Sequence, residues 1–244
     1  MADILTLVFK TFIQHSGKTK DLKIIAPSKC STLVVGDCSI NRSLLLLAAV
    51  TAAAELGLKV SFFTQVQIQS LPGSLQESMS NLSPENLKKI KFAYPRSLED
   101  LLQDVASLHE SASGSAAPPS LIIVDGLEGY LRGPGTLEER AASLAPCRVI
   151  ASFQSEWEGH AGGDPSAPDP VLSVLDRYFQ VRCTLDRDWN SAPAVAGPQN
   201  TWHVYLSGAG ITEASLAKDE EDSSLAREWR LVIRPNRSME FTMV

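Results

Sequence analysis

From Leu33 the chain runs Leu33-Val34-Val35-Gly36-Asp37-Cys38-Ser39-Ile40-Asn41-Arg42-Ser43 straight into an apolar, alanine-rich stretch over 44–54. Few folds accommodate that order. A short apolar run ending at a glycine reads as a buried strand entering a tight turn, and the helix that follows aims its first free N–H groups back into that turn. Such a turn favours phosphate. The spacing matches the loop Gly-x-x-x-x-Gly-Lys-Ser/Thr with two departures: Gly36 and Ser43 hold the outer positions, Asn41 stands for the second glycine and Arg42 for the lysine. Asparagine is the non-glycine residue that best tolerates left-handed backbone, so the nest of N–H groups is expected to survive at Asn41. Arg42 keeps the positive charge on a longer, planar fork; phosphate affinity is expected to persist while alignment for reaction suffers. Gly36, Asp37, Cys38, Ser39, Ile40, Asn41, Arg42 and Ser43 are thus the candidate nucleotide-binding residues.

Ser16-Gly17-Lys18-Thr19 spells the end of the same motif, but Phe12 stands where its first glycine should be, and Pro27 cuts short the segment that would be its helix. It reads as an accidental match within a loosely held N-terminal extension, residues 1–30. With 244 residues and 44% apolar content the chain can bury a full core. The net charge of −6 argues against a generally nucleic-acid-coating or membrane-bound protein, though not against a local basic track. Cys30, Cys38, Cys147 and Cys183 form no Cys-x-x-Cys pair, and His15, His109, His160 and His203 lack ligand spacing. That fits reduced thiols in an intracellular protein and no zinc site. No secretory signal is visible, and the run 44–54 is about half the ~20 residues a membrane span needs.

From Thr32 onward, short β-rich runs alternate with helical ones, the pattern of a largely parallel, twisted α/β sheet with helices on both faces. Strands are expected at 58–63, 90–93, 121–125, 148–153 and 181–185, with helices over 43–56, near 84–89, from Ser97 to about 110 with a capping-box pattern, from 136, and over 171–179. Small-residue or Pro/Gly/Ser connections are expected around 71–74 and 111–119. Toward the end, 202–206 alternates with period two, an acidic loop covers 218–222, and 230–233 and 239–243 flank a turn. The sheet is therefore expected to close with an antiparallel C-terminal hairpin.

Leu121-Ile122-Ile123-Val124-Asp125 is an apolar strand with a carboxylate at its C-terminal end. A Mg2+ ion bridging phosphates needs the Ser43 hydroxyl and such an acidic oxygen close together, so Ser43 and Asp125 are the candidate metal ligands, with ATP and Mg2+ as candidate cofactors. Val34-Val35-Gly36, the alanine-rich helix, Val60-Ser61-Phe62-Phe63-Thr64-Gln65, Gln69-Ser70-Leu71-Pro72, Lys89-Ile90-Lys91-Phe92-Ala93-Tyr94-Pro95, 121–131 and Leu175-Asp176-Arg177-Tyr178-Phe179 together resemble the SWIM-associated, divergent RecA-type recombinase paralogues. The likeness spans roughly residues 32–244.

That resemblance implies a RecA-like P-loop domain over 31–244 and a nuclear subunit of a metazoan Shu-type complex. It implies a heteromer with a SWIM-domain zinc-finger protein, binding to single-stranded DNA, and support of DNA repair by homologous recombination through stabilised recombinase filaments. The family is described as a DNA-stimulated ATPase, but the glutamate that activates water in RecA-like enzymes is matched here by Gln65. A neutral amide orients water without accepting its proton, so hydrolysis is expected to be slow or absent. Gln154 matches the polar residue that senses the γ-phosphate. Of the two loops such proteins offer to DNA, 155–169 holds four acids and no Lys or Arg, whereas the second offers Arg187 beside Trp189, a cation next to a stacking ring. Lys88, Lys89, Lys91, Arg227, Arg230, Arg234 and Arg237 are further candidates. Two rivals stand beside this reading: an active P-loop ATPase or small-molecule kinase, and a scaffold that binds no nucleotide.

Overall fold

A computed structural model describes residues 4–12, 31–69, 83–110, 120–132, 149–155, 169–188, 200–208, 227–234 and 238–244. The sequence readings at 16–19, 71–74, 111–119, 136–139 and 218–222, and those on Trp189 and Arg237, lie outside the described residues. Within them the helices are α1 (Ile4–Thr11), α2 (Cys38–Glu55), α3 (Pro84–Leu87), α4 (Leu98–Glu110), α5 (Leu127–Leu131) and α6 (Pro170–Leu175). The strands are β1 (Thr32–Val35), β2 (Val60–Thr64), β3 (Ile90–Ala93), β4 (Leu121–Asp125), β5 (Val149–Phe153), β6 (Val181–Arg187), β7 (Asn200–Ser207), β8 (Arg227–Ile233) and β9 (Met239–Met243).

The strands form one sheet in the order β3-β2-β4-β5-β1-β6-β7-β8-β9. Pairing is parallel from β3 to β6 and antiparallel from β6 to β9. This is the expected α/β architecture with its antiparallel end, and the division follows from composition. β1, β2, β4 and β5 are buried at every position, as strands covered on both faces must be. β6 and β7 alternate between buried and partly exposed positions, as strands covered on one face do. On the open face of the antiparallel half, His203 Nδ1 lies 2.8 Å from Glu228 Oε1.

Two apolar layers clasp the sheet. On one face α1 and α2 pack with β2, β6, β7, β8 and β9. On the other, Leu98 and Leu101 of α4, Leu127, Tyr130 and Leu131 of α5, and Leu172 and Leu175 of α6 cover β1, β4 and β5. α2 has the length and hydropathy of a membrane span, yet its apolar side chains lie within the first of these layers. α4 opens with the expected reciprocal cap: Asp100 N donates to Ser97 Oγ at 3.1 Å and Ser97 N donates to Asp100 Oδ2 at 3.2 Å.

Two readings need correction. The beginning of the N-terminal extension is no loose segment, because Ile4, Leu5, Leu7, Val8 and Phe9 are buried and the Phe9 ring lies 5.4 Å from Trp229 and 4.7 Å from Phe241. Phe241 N also donates to Phe12 O at 3.2 Å, which ties the end of α1 to β9. The second correction concerns α2. It begins at Cys38 rather than Ser43, and the cause is the residue in front of it, described next.

Candidate nucleotide site at the strand ends

The C-terminal ends of β1, β2, β4 and β5 lie side by side where β1 turns into α2, the place where open α/β sheets present ligand sites. Gly36 makes the turn. A Cβ there would sit 2.8 Å from Leu185 Cβ and 3.1 Å from Asn41 Oδ1, so nothing larger fits between the turn and β6. Asp37 follows in extended backbone at φ −64°, ψ 136° and caps the helix: its Oδ1 accepts from Ser39 N at 2.9 Å and from Ser39 Oγ at 2.6 Å. The Ser39 hydroxyl above all holds the Asp37 carboxyl below its ordinary value against partial burial, helped by the Ser39 and Ile40 amides and by Arg187.

That cap changes the loop. With Asp37 as N-cap, Cys38, Ser39 and Ile40 are already helical, and Asn41 N donates to Asp37 O at 2.9 Å in the ordinary helical manner. The left-handed nest expected at Asn41 is therefore absent. Its buried side chain instead donates from Nδ2 to Gly36 O at 2.9 Å and to Phe153 O at 3.4 Å, fastening α2 to β1 and β5.

The two expected metal ligands are also engaged elsewhere. Ser43 Oγ donates to Ser39 O, 2.9 Å back along the helix. Asp125, its side chain 2% exposed, accepts from Arg42 Nε at 2.6 Å, from Thr64 Oγ1 at 2.9 Å and from Ser152 Oγ at 3.3 Å. Arg42 thus occupies the carboxylate that the metal would need. Among the described residues no group of three or more His, Cys, Asp or Glu side chains has a metal-binding arrangement. The pair as it stands does not fit a Mg2+ ion.

Gln65 and Gln154 end up on either side of α5. Gln65 Nε2 donates to Arg96 O at 3.0 Å, and its amide lies over Gly129, where a Cβ would collide with Gln65 Oε1. Gln154 donates its backbone N–H to Glu128 Oε2 at 3.0 Å. Glu128 is the residue that sequence reasoning missed. Burial pushes its carboxyl above the ordinary value, opposed by the Gln154 N–H and reinforced by nearby Asp125. The signal was an acid in the first turn of a helix, three residues beyond the strand-end aspartate. Gly126, at φ +76°, lets α5 begin there without a spacer.

No protein-family model matches the chain. It is 36% identical over 161 residues to the mouse ATPase SWSAP1, a match covering 62% of this chain and 56% of that protein. It is 31% identical over 196 residues to the human ATPase SWSAP1, covering 69% of this chain and 80% of that protein. The chain belongs to the SWSAP1 family. In fold it is similar to the crystal structure of a KaiC-like protein from the hyperthermophilic archaeon Pyrococcus horikoshii OT3, with a TM-score of 0.51 at 14% identity over 88% of this chain and 90% of that one.

Among the described residues of this SWSAP1-family chain, the candidate DNA residues are divided between β3 at one edge of the sheet and the antiparallel strands at its other end. Arg187 Nη2 donates to Asn200 Oδ1 at 3.0 Å, and the guanidinium lies 5.9 Å from the centroid of Trp202, a ring other than the one expected. Lys89 Nζ donates to Asn86 Oδ1 and Ala53 O, which makes it a helix-end anchor. Arg234 pairs with Glu240. Lys88, Lys91 and Arg230 are exposed, the first just before β3, the second within it and the third on β8.

Proposed function

We propose that this chain is a recombination accessory subunit that works by assembly: it joins a SWIM-domain zinc-finger partner in the nucleus, binds single-stranded DNA and stabilises recombinase filaments. Membership of the SWSAP1 family and the RecA-like sheet support that setting. The single observation that carries the emphasis on assembly is the 2.6 Å contact of Arg42 with Asp125. A carboxylate neutralised by the chain's own guanidinium is poorly placed to hold a metal, and Gln65 supplies no base. Strand ends that satisfy one another make a rigid platform, which suits a subunit recognised by its partners.

The competing reading is an active P-loop ATPase or small-molecule kinase. One observation favours it: Glu128, between Gln65 and Gln154, is a carboxyl shifted toward neutrality by burial, as a general base would be. Co-purification with the SWIM protein, followed by single-strand binding at several salt concentrations, tests the proposal. A heteromer whose affinity for DNA falls with added salt is the expected result. Failure to form a heteromer would remove the reading.

A further inference from the structure

We infer that the N-terminus of α2 is an anion site occupied by the chain itself: the Asp37 carboxylate sits on amides that a phosphate would take, and Arg42 sits on the carboxylate that a divalent cation would take. The inference rests on the reading of these strand ends as an inherited nucleotide site. At one end Asp37 collects Ser39 N, Ser39 Oγ and the attraction of Arg187. At the other, Asp125 collects Arg42, Thr64 and Ser152. Both halves of a metal–nucleotide are thereby replaced by side chains of opposite sign, and both contacts must open before such a ligand enters. Repulsion between Asp37 and an incoming polyphosphate adds to the barrier.

Asn41 points to a second arrangement of the loop. Its Oδ1 is buried and without a hydrogen-bond donor among the described residues, packed against Gly36. Buried acceptors seldom go unpaired. The closed loop therefore leaves one acceptor that an opened loop would satisfy. Asp37 is the residue that selects between them.

The test uses the full chain and a fluorescent ATP analogue, with Mg2+ or with EDTA, comparing wild type and Asp37→Asn. Asparagine keeps a capping oxygen, so α2 stays capped and circular dichroism with thermal unfolding checks the fold. Asp37→Asn is expected to bind at least about tenfold more tightly than wild type. Wild-type affinity is expected to be the same with and without Mg2+. A folded Asp37→Asn variant that binds no more tightly, or a wild-type affinity that rises with Mg2+, overturns the inference. Neither result bears on the accessory-subunit reading, which heteromer formation decides.

Discussion

At one corner of the sheet Phe9 sits between Trp229 and Phe241 with no polar partner, while at the strand ends Arg42, Thr64 and Ser152 all converge on the single carboxylate of Asp125. Both regions fasten a helix to the same sheet, α1 in the first case and α2 in the second. The corner relies on apolar area, which is non-directional and scales with what is buried. The strand ends rely on charge and geometry, so removing Arg42 leaves a buried carboxylate without its counter-charge. Each region therefore fails in its own way, and substitutions can separate them.

The largest effect is expected in the corner. Phe9→Ala removes a fully buried ring and should cost about 3–5 kcal/mol, read as a lowered urea midpoint. A change below 1 kcal/mol would mean that α1 is not held as described. At the strand ends Arg42→Ala leaves the Asp125 carboxylate buried without its counter-charge, hydrogen-bonded only to Thr64 and Ser152. A fully buried pair would lose ~3–5 kcal/mol, but the Arg42 side chain is 31% exposed, so about 2–3 kcal/mol is expected. Adding Asp125→Asn should recover part of that loss, and strict additivity in the double-mutant cycle would contradict the pairing.

Smaller effects sharpen the picture around α5. Gly129→Ala puts a methyl where the exposed Gln65 amide lies, and because the end of that side chain can swing aside at the expense of its Arg96 hydrogen bond, the cost should stay within about 1 kcal/mol, with Gln65→Ala in the same chain relieving most of it. Glu128 gives a pH signature. Its folded-state value lies above the ordinary one, so its contribution to stability is full below the ordinary glutamate value and is lost as pH rises through the raised one. Glu128→Gln should flatten the stability profile across that window, and an unchanged slope would show that the carboxyl is not desolvated.

The two regions also differ in what the sequence revealed. The apolar runs of β1, β4 and β5 and the strand-end position of Asp125 were readable because burial on both faces leaves an unbroken hydrophobic stretch. The departures at Asn41, Arg42 and Gln65 were readable because they change chemistry at fixed spacing. What they do was not. Arg42 and Asp125 are 83 residues apart, and only the β1-α2 crossover beside β4 brings them together. Asp37 as a helix cap was visible in principle, but the phosphate-loop spacing competed for the same residues. α1 was hidden for another reason: an eight-residue helix buried almost all round shows no polar face, so its periodicity is silent.

The most direct test of the central claim, that this chain acts through assembly rather than turnover, is phosphate release from ATP by the purified heteromer on single-stranded DNA. Release at background in wild type, unchanged in Arg42→Ala, is the expected result. Robust wild-type release abolished by Arg42→Ala would contradict it.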